Sequence, residues 1–281
     1  MFRSASLRWP GLLPHAVHGG VLALLLVAAL AIPAPGAAAS LRYDWQDRFE
    51  RDDRLRLQRW IDATQAGLER LVGPLDLELR VQMRRHDRAR EPVPWAQTLR
   101  ARPQGVRFHV DPAYPDSAFY GDWTAAHELS HLVLPYLGDG GSWFSEGFAS
   151  YMQYQVLAEM GMLEPDDPMQ VYRRHLDAAR AGYPYGERPF ARAASSLRRA
   201  GRYSVMYWGG AVYFLRVDAA LRERHRTLVD VLREYLACCR RDHDRLDDLV
   251  ARLDGLTGDR LFSRELQRMR SEPGFPRWPE R

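Results

Sequence analysis

The sequence predicts an α+β fold in which a long helix and a small sheet precede a mainly helical half. Three observations carry that reading. Apolar residues recur at helical spacing between residues 44 and 72, two later segments have strand character, and beyond residue 120 the periodic segments are helical. No internal repeat interrupts this order. The 281-residue chain therefore divides into a leader, 1–39, and one domain in two lobes, 40–121 and 122–281.

Asp44 to Val72 is expected to form one helix. Trp45, Phe49, Leu57, Trp60, Ile61, Leu68, Leu71 and Val72 make its apolar stripe, and Gly73-Pro74 stops it. Leu75 to Met83 alternates between apolar and polar residues, the period of a half-buried strand. Arg84 to Pro94 is polar and reads as a loop. Gly105 to Val110 reads as a second strand, closed by Asp111-Pro112. A helix follows from about Asp122, its expected N-cap, to Val133, with Pro135 ending it. Ser142 to Met160 is the next. Ala181 to Gly201, rich in Gly, Pro and Arg, reads as a long loop. Ser204 to Arg224, Leu228 to Cys238, Leu246 to Leu253 and Gly258 to Met269 complete the helical half.

Composition removes several chemistries. All 40 basic residues are Arg, and Lys and Asn are both missing. P-loop, Schiff-base and kinase chemistry need a Lys, and a Cys-His-Asn triad needs an Asn. The formal charge of +4 is spread among interleaved Asp and Glu, so no segregated basic patch supports nucleic-acid binding.

Residues 1–39 resemble an export signal. Arg3 and Arg8 precede an apolar run from Val21 to Ile32, and Ala37-Ala38-Ala39 offers a cleavage site. Residues 19–39 are instead a membrane anchor if they stay uncleaved, although Pro33 and Pro35 disfavour a continuous helix. Either way the domain is expected outside the cytoplasm, periplasmic, secreted or anchored facing outward. Adjacent Cys238 and Cys239 are expected to stay unbridged as small apolar helix residues, because disulfides favour Cα atoms about 5.5 Å apart.

The chemistry centres on His127-Glu128-Leu129-Ser130-His131. Residues four apart share one helix face, so both imidazoles can reach one Zn²⁺, with Glu128 placed to take a proton from a metal-activated water. A catalytic zinc needs a third protein ligand. Glu146, in Trp143-Phe144-Ser145-Glu146-Gly147-Phe148-Ala149-Ser150-Tyr151, is the candidate, brought back by an antiparallel helix pair. Ser150, one turn later, is placed to bond a metal ligand from behind.

These two segments together resemble the gluzincin metallopeptidases and their peptidase MA-like group, with glycyl aminopeptidase and aminopeptidase N features. The resemblance runs over about residues 122–270 and is strongest at 124–151. It implies a zincin-like fold, peptide-bond hydrolysis, and Glu146 as the third zinc ligand. It also implies that a Tyr in Ser204 to Asp218 stabilises the oxyanion. Tyr207 is the matching position, with Tyr203 and Tyr213 as rivals in register. Gly209-Gly210 in that segment suggests close approach to a neighbouring backbone.

The chain departs from the aminopeptidases in two respects, the first being a shorter gap between His131 and Glu146. No Glu lies between Pro103 and Asp122 to hold a substrate's free amine. Strand 106–110 is instead expected to pair with an extended peptide by strand addition. Without Lys, any cation gripping a substrate carboxylate is an Arg, expected among Arg188 to Arg202 with Arg198, Arg199 and Arg202 foremost. The expected function is thus an exported zinc peptidase with a peptide or protein substrate. The alternative is a non-catalytic zinc-binding envelope assembly or binding protein.

Overall fold

The computed structural model describes residues 40–163 and 168–279, so the expected leader at 1–39 lies outside the described residues. Strand β1 (Ser40–Trp45) opens the domain and helix α1 (Arg51–Val72) follows. This corrects the single helix expected from Asp44. Leu41, Tyr43 and Trp45 alternate with Arg42 and Asp44, and that period of two prevails over the helical spacing. β1 pairs parallel with β2 (Glu78–Arg85), Ser40 opposite Glu78 and Trp45 opposite Met83. β2 begins three residues later than expected, after Asp76 adopts a left-handed φ of 49° that an extended strand cannot contain.

β3 (Trp95–Leu99) falls just beyond the expected loop and had no counterpart in the sequence reading. β4 (Gly105–Val110) forms as expected. The strand order is β1-β2-β4-β3, with β4 parallel to β2 and antiparallel to β3. Both edges of β4 are therefore taken, and Val106 and Phe108 are fully buried. The proposed peptide-pairing strand is thus corrected: β3, not β4, is the edge strand on this side of the sheet. Trp60 of α1 packs on Phe108 and Phe119 with centroids 5.4 and 5.2 Å away, fixing the helix to the sheet.

A short helix, α2 (Asp116–Tyr120), leads to α3 (Thr124–Ser130). α3 is shorter than expected. Asp122 Oδ1 still accepts the Thr124 N–H at 2.8 Å, although Trp123 is the N-cap position. α4 (Ser142–Glu159) follows a 3₁₀ turn at Asp139–Gly141. α5 (Pro168–Ala181) and α6 (Phe190–Arg199) were not expected, and α6 replaces nearly half of the supposed Arg-rich loop. Its buried residues Phe190, Ala193, Ala194 and Leu197 keep helical spacing despite the flanking Gly and Pro.

α7 (Tyr203–Arg222), α8 (Leu228–Cys238), α9 (Leu246–Thr257) and α10 (Leu261–Ser271) match the four expected helices to within a few residues. α4 and α7 are buried along most of their length and pack against each other. A Cβ on Gly210 would lie 2.1 Å from the Trp143 carbonyl oxygen, and one on Gly147 would lie 2.2 Å from the Gly210 carbonyl carbon. The glycine pair thus permits the close backbone approach that the sequence suggested.

Cys238 and Cys239 form a disulfide, contrary to expectation. They lie at the end of α8, where Cys239 leaves helical geometry (φ −137°, ψ 2°), and the two sulfurs meet across one peptide unit. Among the described residues no helix is long and apolar enough to cross a membrane.

Candidate metal centre and its cleft

α3 supplies His127 and His131. His131 caps α3 with φ −56° and ψ −25°, so it keeps helical geometry and both rings stay on one face. The chain reverses through the 3₁₀ turn, and α4 returns Glu146 beside them. Glu146 Oε2 lies 3.2 Å from His127 Nε2 and 3.4 Å from His131 Nε2. The ligand atoms of the three all lie within 4.8 Å of one another. The two His are buried and Glu146 is half-buried.

These spacings suit a zinc ion. A tetrahedral ion bound at about 2.0–2.1 Å separates its ligand atoms by roughly 3.3–3.4 Å. Two imidazoles and one carboxylate are also an ordinary donor set for catalytic zinc. The electrostatics agree. Burial alone would lower the pKa of His127, but hydrogen bonding and charge from Glu146 outweigh it and raise it. Burial would raise Glu146, yet His131 and His127 hold it well below the usual carboxylate range. Both shifts arise from the same His–Glu contact, which keeps Glu146 ionised, the form in which a carboxylate binds a metal.

Gln153 orients the first ligand. Its Oε1 lies 2.8 Å from His127 Nδ1, opposite the nitrogen that faces Glu146. Both residues are buried. The bond therefore selects the tautomer with a free Nε2 lone pair. The sequence predicts this role for Ser150, which is buried in α4. Gln153 was legible in principle, since it lies seven residues, about two turns, after Glu146.

Glu128 is half-buried and lines the cleft. Thr98 Oγ1 on β3 donates to Glu128 Oε2 at 2.7 Å and lies 3.2 Å from its main-chain oxygen. Thr98 was not foreseen, because β3 itself was not. Tyr207 on α7 stacks against His127 with centroids 5.8 Å apart. Burial, then the charges of Glu146 and Glu128, raise its pKa, so its hydroxyl stays protonated and can donate. Of its rivals, Tyr213 is buried and donates to Phe262 O at 3.0 Å, away from the cluster. Tyr203 lies in the cleft wall, largely exposed.

The cleft holds about 820 Å³ and runs along β3 from Trp95 to Ala101, past Glu128, His131 and Glu146, to Tyr207. Arg100 and Arg198 also face it. Arg198 pairs with Asp139 at 2.8 Å. Arg199 bonds Ser196 and Arg202 reaches Gly182 O, so Arg198 is the member of the expected Arg trio that lines the cleft. Arg100 was not foreseen. Burial, then the charge of Arg240, lower its pKa to about 10, which leaves it charged at neutral pH. A larger cavity of about 1320 Å³ lies between α5 and the C-terminal segment, away from the His-His-Glu cluster. Its size does not make it the reactive site, because the converging donors lie in the smaller cleft.

The chain matches no protein-family model and no curated protein. It is similar in structure to an M1 zinc metallopeptidase from Deinococcus radiodurans, with a TM-score of 0.56 and 16% identity over 88% of this chain and 51% of that one. A mutant from the same organism, bound to a Tyr-Ser-Ala substrate, gives a TM-score of 0.55 at 16% identity over 86% and 50% of the two chains. A two-domain M1 zinc metallopeptidase mutant bound to L-tryptophan gives 0.57 at 15% identity over 88% and 52%. This likeness is one of fold: the α+β arrangement is shared with M1 peptidase domains. The chain spans about half the length of these structures.

Proposed function

We propose that this protein is a zinc-dependent peptidase acting outside the cytoplasm. The observation that carries the reading is the convergence of His127 Nε2, His131 Nε2 and Glu146 Oε2 beside Glu128 in an open cleft. His127, His131 and Glu146 would hold the zinc, with Gln153 fixing the first imidazole. When bound, zinc supplies Lewis-acid charge and makes water nucleophilic near neutral pH.

The remaining roles fall to the chain's own residues. Glu128 takes a proton from the attacking water and later passes it to the leaving amine nitrogen. Thr98 holds Oε2 of that carboxylate, and among the described residues Oε1 has no hydrogen-bond partner, which leaves it for the transfer. The Tyr207 hydroxyl donates to the carbonyl oxygen as negative charge develops there. The substrate is a peptide lying along edge strand β3, whose residues Trp95 to Leu99 line the cleft. The leader-like residues 1–39 and the Cys238–Cys239 bridge support an oxidising compartment.

Zinc stoichiometry and peptide cleavage, measured together, test this. The wild type is expected to bind one zinc and cleave peptides. Glu128→Gln is expected to keep the zinc and lose about 10³-fold in kcat/KM. Glu146→Ala is expected to lose the zinc. Full chelator-sensitive activity in Glu128→Gln would overturn the proton-transfer role. One bound zinc with no cleavage of any offered peptide would favour a non-catalytic binding protein instead.

A further inference from the structure

Arg100 stands one residue beyond the end of β3 and lines the same cleft as Glu128, His131 and Glu146. Its guanidinium donates to two main-chain carbonyls, His131 O at 3.1 Å from Nη2 and Leu134 O at 3.3 Å from Nη1. Tyr136 offers a ring face 5.9 Å from its Cζ. A guanidinium carries five N–H donors in a planar fork. The two carbonyl bonds use two of them. Among the described residues the Nε–H has no acceptor, and it is not sealed from solvent.

Charge sharpens the point. Arg80, Arg102, Arg198, Arg216 and Arg240 each form an ion pair with a carboxylate. Among the described residues Arg100 forms none, although it is half-buried. A partly desolvated cation bound only to neutral carbonyls is under-compensated, and this residue lines a cavity open to ligands. The cleft is also poor in acids. Beyond Glu128 and Glu146, its lining includes one carboxylate, Asp139, already paired with Arg198. A free amino terminus therefore finds no unpaired anion here apart from the reactive pair.

We propose that Arg100 is a specificity-determining residue that grips a carboxylate of the bound peptide. The carboxylate is either the chain terminus or an Asp or Glu side chain, since both present the two-oxygen edge that suits a guanidinium fork. Arg198 lies on the same cleft and can exchange Asp139 for the ligand. The inference rests on the cleft being that of a peptidase.

The test uses the zinc-loaded protein and two pairs of matched peptides. The first pair differs only in a free-acid or amidated C-terminus, with neutral side chains throughout. The second pair is amidated and differs only in Glu or Gln at one position, scanned along the peptide. The readout is the acid-to-neutral ratio of kcat/KM, and of Kd for Glu128→Gln, which measures binding without turnover. The wild type is expected to favour the acidic member of at least one pair by tenfold or more, mainly through KM, and that pair identifies the source. Arg100→Gln should bring this ratio close to one, and Arg100→Lys should leave it intermediate.

If Arg100 only ties the chain after His131, Arg100→Gln slows both members of a pair alike and the ratio does not move. That result overturns the proposal, as does a wild-type ratio near one in both pairs. Selective binding by Glu128→Gln without cleavage by the wild type would support the carboxylate subsite while overturning the peptidase reading.

Discussion

The α4–α7 crossing and the α9–α10 pair are built on opposite principles, although each contains a helical glycine. At the crossing, Gly210 touches the Trp143 carbonyl, and both helices are buried almost all round. In α9, Gly255 has nothing within 4 Å of where its Cβ would be, and the helix buries one stripe: Leu249, Val250, Leu253 and Asp254. The first region holds Glu146, Gln153 and Tyr207 on elements that cannot shift independently. The second supports the fold from outside. The difference teaches that the donor geometry is set by backbone proximity, so the sensitive positions include residues that touch no ligand.

Gly210→Ala against Gly255→Ala is the strongest way to break this comparison. The first should cost about 3 kcal/mol and displace Glu146, because a methyl group cannot fit against a carbonyl oxygen. The second should be neutral or stabilise by up to about 1 kcal/mol, since Ala is the better helix residue. Urea unfolding of both variants decides it. Equal small effects would mean that the crossing relaxes freely.

Gln153→Ala should have a smaller effect, confined to the metal. Zinc affinity is expected to fall about 10–100-fold with little change in helix content, read by competition with a chelating dye. Ser150→Ala is the sharpening control. If Ser150→Ala weakened zinc as much, the hydrogen bond that His127 donates to Gln153 would not be the orienting contact.

Asp242 should show the smallest effect. It joins Arg102 at 2.6 Å and Arg240 at 3.3 Å, and the Arg102 hydrogen bond in particular lowers its pKa. A folded pKa below the unfolded value gives stability that is present above about pH 3.9 and is lost as pH falls through the folded value. Asp242→Asn should therefore lower Tm at pH 7 by an amount equivalent to no more than about 1 kcal/mol, because Arg102 is exposed. The gap should close below about pH 4. A gap that stayed constant down to pH 3 would contradict the linkage.

Much of this arrangement was legible in the sequence where one period ruled without competition. β4 and α8 have their expected boundaries, and α4 ends within a residue of them. His127 and His131 were nameable because ligand spacing on a helix is a local property, and Glu146 because the short gap after them suits a returning helix and its flanking segment resembles the gluzincin pattern. Local pattern failed where two periods overlapped or where tertiary pairing decided the outcome. Trp45 and Phe49 fitted a helical stripe, yet Trp45 pairs with Met83 in a sheet. β3 is five residues long and owes its existence to β4, so Thr98 and Arg100 could not be placed beside Glu128 from sequence alone. The buried stripe of α6 was readable, but the flanking Gly, Pro and Arg masked it.

The most direct test of the central claim is the cleavage profile of a proteome-derived peptide mixture, read by mass spectrometry, with zinc content measured on the same wild-type and Glu128→Gln samples. The account predicts one zinc per chain in both proteins and new peptide termini with the wild type alone. Zinc-loaded wild type that produced no new termini, or equal cleavage by Glu128→Gln, would contradict it.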